Sequence, residues 1–235
     1  DKGRTRNVAT RAVDNRIAVS GRARAEAKPE PVARARRYDP AETKSRVLAA
    51  AYMLFSRQGF ASTGTADIAR EADVSEGSIF YHFGSKKALL AELGRRHGEM
   101  MIEAMEAGHA LEDLEPGIII PRVLRFVRDN SIFESVEGDC ADCGPKARLQ
   151  SNAEAEPFYH AAKTVTTDWI TRQMMAAYAK HGITGVEIDL AASFTHHVVG
   201  DAIDLWMCAP TPEEADRVER ETVRFVRAAC NYRLD

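Results

Sequence analysis

Gly59-Phe60-Ala61-Ser62-Thr63-Gly64-Thr65-Ala66-Asp67-Ile68-Ala69, followed by Val74-Ser75-Glu76-Gly77-Ser78-Ile79-Phe80-Tyr81-His82-Phe83-Gly84-Ser85-Lys86-Lys87-Ala88-Leu89, is the stretch on which the fold turns. It reads as two very short helices joined by a tight turn, with a longer helix starting at Ser85. The first runs from about Thr65 to Glu71, with Thr63 as its cap and Ile68 and Ala69 inward. Asp73-Val74 turns the chain, and Ser75 caps the second, which ends near His82. Helices this short do not stand alone, because helix nucleation is costly. They must lean on longer neighbours, which leaves the second free to be offered to a groove. The pattern predicts a helix-turn-helix that reads DNA.

Outward from this segment the chain reads as helix throughout. Asp39-Pro40-Ala41-Glu42 opens the preceding helix with an N-cap, Pro at N1 and a capping-box Glu. Its apolar stripe is Val47, Leu48, Ala51, Leu54 and Phe55, and Gly59 ends it. The Ser85-capped helix runs to about Ala107. Further helices are expected at 116–130 (its start at Pro116 or Pro121), 153–180, 185–208 and from Pro212 onward. Thr211-Pro212-Glu213-Glu214 is a second capping box. The outer face of that last helix pairs Glu213 with Arg217 and Asp216 with Arg220 at i,i+4. No alternating strand pattern and no internal repeat is present. The fold class is all-α: an N-terminal three-helix DNA-binding domain followed by a larger helical domain.

Charge divides the chain into three. The whole sequence of 235 residues has a formal net charge of −3. Residues 1–38 carry a net +7, residues 39–87 are neutral, and residues 88–235 carry −10. Residues 1–38, rich in Arg and Ala and broken by Pro29-Glu30-Pro31, read as a flexible basic arm. That arm is either a passive tail or a contact to a polyanion. Residues 39–87 read as the DNA-binding domain and 88–235 as a domain for effector binding and dimerisation. The four cysteines, without a secretion signal, fit a reducing cytoplasmic setting, and no apolar run is long enough to span a membrane.

Residues 46–90 closely resemble the N-terminal domain of the TetR family of bacterial transcriptional regulators. The matching residues are Ala50-Ala51, Leu54-Phe55, Gly59-Phe60, Thr63, Asp67-Ile68-Ala69, Ala72, Val74-Ser75, Gly77, Tyr81-His82-Phe83, Ser85-Lys86 and Leu89. The resemblance implies a homodimer that binds a palindromic double-stranded DNA operator and is released by a small-molecule effector. It maps DNA contacts to Thr63, Gly64, Thr65, Ser75, Glu76, Gly77, Ser78, Tyr81, His82 and Lys86. Their chemistry agrees. Gly77 and Ser78 are small enough for close approach, and Tyr81 and His82 donate to phosphate or base edges. The Ser85-capped helix start, with Lys86 beside it, suits a phosphate. Two positions depart from the family pattern: Phe80 replaces a common Tyr, and Gly64 replaces a common Thr or Ser. Ile79, Phe80 and Phe83 are expected in the core. With a neutral reading domain, the basic arm is expected to supply electrostatic attraction, at a salt slope of roughly −0.9 per phosphate. Deleting residues 1–38 should then flatten the log K against log salt plot.

The effector pocket is expected among bulky side chains of the helical domain: Met101, Met105, Phe126, Phe133, Phe158, Trp169, Met174, Phe194, His197 and Trp206. The last two helices are expected to pair with their twins in a four-helix dimer interface. Cys140-Ala141-Asp142-Cys143 is a lone CxxC, short of the ligands zinc needs. His197, Asp201, Asp204 and Cys208 share one helical face. A metal- or redox-sensing regulator using Cys140/Cys143 or His197/Asp201 therefore stays open beside the plain reading of loop cysteines and a polar helix face. No phosphate loop, nucleophile motif or cofactor signature supports an enzyme.

Overall fold

A computed structural model of the chain describes residues 39–130 and 155–232. The basic arm at 1–38, Phe133 and the Cys140/Cys143 pair lie outside the described residues. Among the described residues helices are the only regular structure.

Helix α1 spans Pro40–Gln58. The Asp39 carboxylate accepts the amides of Ala41 at 2.9 Å and Glu42 at 3.3 Å, so the opening cap forms as read. Helix α2 spans Thr65–Glu71. Its N-cap is Gly64 and not Thr63: the Asp67 carboxylate reaches back to the Gly64 amide at 3.2 Å. Asp73 turns the chain with φ 52°, a left-handed conformation that Asp tolerates. Helix α3 spans Glu76–Phe83, and Ser75 Oγ accepts the Ser78 amide. Gly84, with φ 76°, separates it from α4, Lys86–Glu106, which Ser85 caps.

These helices close on one core. Val47, Ala51, Phe55, Ile68, Ile79, Leu89 and Leu90 are fully buried. Burying each of the larger ones contributes roughly 1.5–3 kcal/mol, which is how helices of seven and eight residues persist. Leu89, Leu90 and Leu93 come from α4, and Phe158 comes from far along the chain, so α4 serves both halves of the molecule.

A single 3₁₀ turn, Leu111–Asp113, leads to α5, Pro116–Asp129, which begins at Pro116 and carries Pro121 inside it. Helices α6, Glu156–His181, α7, Ile188–Met207, and α8, Pro212–Ala229, complete the described fold. Their core holds Met105, Ile120, Leu124, Trp169, Met174 and Tyr178. Three of its polar side chains find partners within it. Trp169 Nε1 donates to Glu106 Oε1 at 2.7 Å, Gln173 Nε2 to the Leu114 carbonyl at 2.6 Å, and the Tyr178 hydroxyl to the Cys230 carbonyl at 2.6 Å. On the outer face of α8, Arg217 pairs with Glu214 and Arg224 with Glu221, at i,i+3. Among the described residues the expected i,i+4 pairs do not form. No described helix is long and apolar enough to cross a membrane.

Candidate nucleic-acid interface

The core fixes which face of α3 turns outward. Ile79 is fully buried, and Phe83, one turn on, packs against the same core. The opposite side carries Gly77, Phe80, Tyr81 and Gly84, all exposed, at i, i+3, i+4 and i+7. Tyr81 is 79% exposed and Phe80 49%. Phe80 is therefore not a core residue. Its apolar type pointed inward, but the Ile79–Phe83 repeat already defines the buried stripe and sets Phe80 about 100° away from it. That spacing was the signal for its exposure.

The expected contact residues divide by what they already hold. Thr63 is only 1% exposed. Its hydroxyl donates to the Gly59 carbonyl at 2.7 Å and accepts from Gln58 Nε2 at 3.2 Å. It pins the turn between α1 and α2 and presents nothing to a duplex, which corrects the expectation of a contact. Thr65 donates to the Glu76 carboxylate, tying the start of α2 to the start of α3. Ser75 and Ser78 share a hydrogen bond at 2.8 Å. His82 is half-buried with its ring edge-on to Tyr81, centroids 5.1 Å apart. Gly64 is exposed.

Lys86, also expected at a phosphate, is held by its own chain. Its ammonium donates to the carbonyls of Phe60 and Thr63, both at 2.9 Å, and lies 4.2 Å from the Phe60 ring centroid. The charge is spent on the α1–α2 turn, so Lys86 clamps the start of α4 to the loop ahead of α2. The exposed ammonium at this helix start belongs to Lys87.

Further along, α4 is joined to the rest of the molecule tightly. A Cβ on Gly94 would sit well inside the Phe158 carbonyl, and one on Gly98 would meet the Ala162 carbonyl at 3.2 Å. Backbone therefore packs on backbone where α4 crosses α6. Between the two glycines His97 lies amid the rings of Phe126 and Phe158, at 5.2 and 5.4 Å. Burial there pushes its pKa down to about 4, so it is neutral at pH 7. On the other face Glu92 is held by Arg95 and Lys44, each at 2.8 Å, and these cations bring its pKa down to about 2. His97 was not singled out from sequence, although its spacing from Leu90, Leu93 and Gly94 places it on the inward face.

The residues expected around an effector do not converge on one described pocket. Met105, Trp169 and Met174 are packed core, and Phe158 belongs to the core of the reading domain. Phe126 faces His97. Met101 and Trp206 are half-buried against the second core, with Arg128 over the Trp206 ring at 5.9 Å. Phe194 points outward, 65% exposed. It lines a groove between α7 and α8 with Leu190, Val198, Phe225 and Ala229. This groove is apolar because both helices show a stripe with nothing of the described chain upon it.

His197 also faces outward. Its Nδ1 lies 2.8 Å from the Ser193 carbonyl and its Nε2 3.1 Å from Lys163 Nζ. An ammonium only donates, so Nε2 accepts and Nδ1 carries the proton. Neither nitrogen is left for a metal, and among the described residues no group of three His, Cys, Asp or Glu side chains is placed to hold one.

Known proteins sharpen this geometry. Residues 47–93 match the family model described as bacterial regulatory proteins, tetR family. The HTH-type transcriptional regulator AcrR of Shigella flexneri is 39% identical over 62 residues, 26% of this chain and 29% of that protein. The chain thus matches that relative over under a third of the relative's length. A solved TetR-family regulator from Syntrophomonas wolfei superposes with TM-score 0.60 at 14% identity, covering 82% of this chain and 97% of the other. The regulator FadR of Bacillus subtilis, solved with stearoyl-CoA, superposes with TM-score 0.53 at 13% identity, covering 79% and 98%. At these identities the two structures speak to the fold alone.

Proposed function

Since the chain belongs to the TetR family through its 47–93 reading domain, we propose that it is a ligand-responsive, DNA-binding transcriptional regulator, a repressor released from a palindromic operator by a small molecule. The observation that carries the reading is the outward face of α3: an exposed Gly77, Phe80 and Tyr81 held on a fully buried core. A helix so presented fits a major groove, with Gly64, Thr65, Ser75, Glu76, Gly77, Ser78, Tyr81 and His82 around the contact.

In this reading two copies pair through the α7–α8 groove, where Leu190, Phe194 and Phe225 are each more than half exposed. A monomer gains nothing from such a face, whereas a two-fold partner buries it. The reading domains then sit at a fixed spacing, and an effector that prefers another spacing shifts the population off DNA by its differential affinity. Helix α4 transmits the change, clamped by Lys86 at one end and packed backbone to backbone on α6 at Gly94. In this reading the helical domain senses an organic effector and does not catalyse. The contacts of His197 with Lys163 and Ser193 do not favour the metal alternative at His197/Asp201, and the Cys140/Cys143 alternative lies outside the described residues.

Selection of duplexes from a random pool by the full chain tests this. The expected product is an inverted repeat with half-site centres about 34–36 Å apart. Binding without sequence preference, or to a single half-site by a monomer, overturns it.

A further inference from the structure

We propose that Phe80 is a specificity-determining residue that reads the methyl group of a thymine in the major groove. The inference rests on the DNA-binding reading above and adds to it a base and the atom that is read. Phe80 is half exposed on the outward face of α3. Its ring has no hydrogen-bonding group, so it recognises no donor or acceptor on a base edge. The one apolar group that a base pair presents in the major groove is the C5-methyl of thymine.

Gly77 supports the same assignment. It lies one turn before Phe80 on the same face. A Cβ added there would meet only Ser75 Oγ, at 3.8 Å. Its φ is not in the left-handed region, so neither conformation nor crowding within the described chain requires glycine. A helical glycine that its own protein does not need is explained by a close external surface. The bare backbone at Gly77 leaves a notch beside the Phe80 ring, and a base edge carrying a methyl group fills it. Tyr81, more exposed still, flanks the ring with a hydroxyl for the adjoining phosphate. The neighbouring polar groups are tied to one another, Glu76 to Thr65 and Ser75 to Ser78. The ring adds to them an apolar contact that no hydrogen-bonding group can make.

The test uses the full chain and its selected duplex. Each thymine is replaced in turn by deoxyuridine, which removes one methyl and leaves every hydrogen-bonding group in place. Binding is followed by fluorescence anisotropy. One symmetry-related pair of positions should lose affinity, about fourfold for one methyl and about fifteenfold for both, from the transfer energy of a buried methyl-sized group. With Phe80→Ala the duplex should bind more weakly and the penalty at those positions should vanish. Phe80→Tyr, which keeps the ring, should retain it. The deoxyuridine scan on the unaltered chain needs no variant to fold. A selected site with no methyl-sensitive thymine overturns the proposal and leaves the DNA-binding reading standing. So does a penalty that survives Phe80→Ala. A chain that selects no duplex overturns the reading itself, and this proposal with it.

Discussion

Gly77, in the first turn of α3, and Gly94, in the interior of α4 where glycine costs roughly 0.5–1 kcal/mol relative to alanine, have opposite surroundings. Gly94 has the Phe158 backbone where a side chain would be, so the protein's own packing demands it. A Cβ on Gly77 would meet only Ser75 Oγ, at an ordinary van der Waals distance of 3.8 Å. The first marks a joint within the molecule, and the second marks a surface meant for something else. Under the proposed function the contrast separates two tasks: transmission through α4 and α6, and reading through α3.

The largest effect is expected at the joint. Gly94→Ala must part α4 from α6, and overpacking against backbone, with no flexible side chain to yield, should cost about 3 kcal/mol. Denaturant unfolding should register that loss, and an unaltered midpoint would mean that the two helices are not locked there. Lys86→Met comes next. Losing an ammonium shared by two carbonyls should cost about 2 kcal/mol and weaken operator binding through a loosened turn. The slope of log K against log salt should stay as it is. A slope shallower by about 0.9 per subunit would make Lys86 a phosphate contact instead.

His97 gives a smaller effect with a definite sign. Its folded pKa, about 4, lies below the ordinary 6.5. The unfolded chain therefore binds more protons between those values, and stability falls as pH drops through that window. Between pH 7 and pH 5 the loss should be about 1–2 kcal/mol. His97→Gln should remove that part of the pH dependence, and an unchanged profile would place the titration elsewhere.

The reading domain was legible in the sequence because its signals are local. Asp39, Ser75 and Ser85 cap the helices they precede, and Gly59 and Gly84 end theirs. What was misread depends on direction or on distance along the chain. Thr63 has the right chemistry for phosphate but turns inward onto Gly59. The Lys86 ammonium folds back on carbonyls more than twenty residues earlier, which no local pattern encodes. Phe80 is a core residue by type and a surface residue by its phase on the helix. In the helical domain, large apolar residues at helical spacing look alike until packed: Trp169 proves to be core and Phe194 a surface residue. Helix existence was readable throughout, whereas the function of each apolar stripe waited on which neighbour covered it.

The most direct measurement sits at Gly77. In Gly77→Ala, thermal stability and operator affinity are measured on the same preparation. If the glycine serves an external groove, the folded protein should gain about 0.5 kcal/mol from the better helix former. Operator affinity should drop about tenfold as the added methyl crowds the duplex. A variant that is more stable and binds its operator as tightly as before would contradict the account.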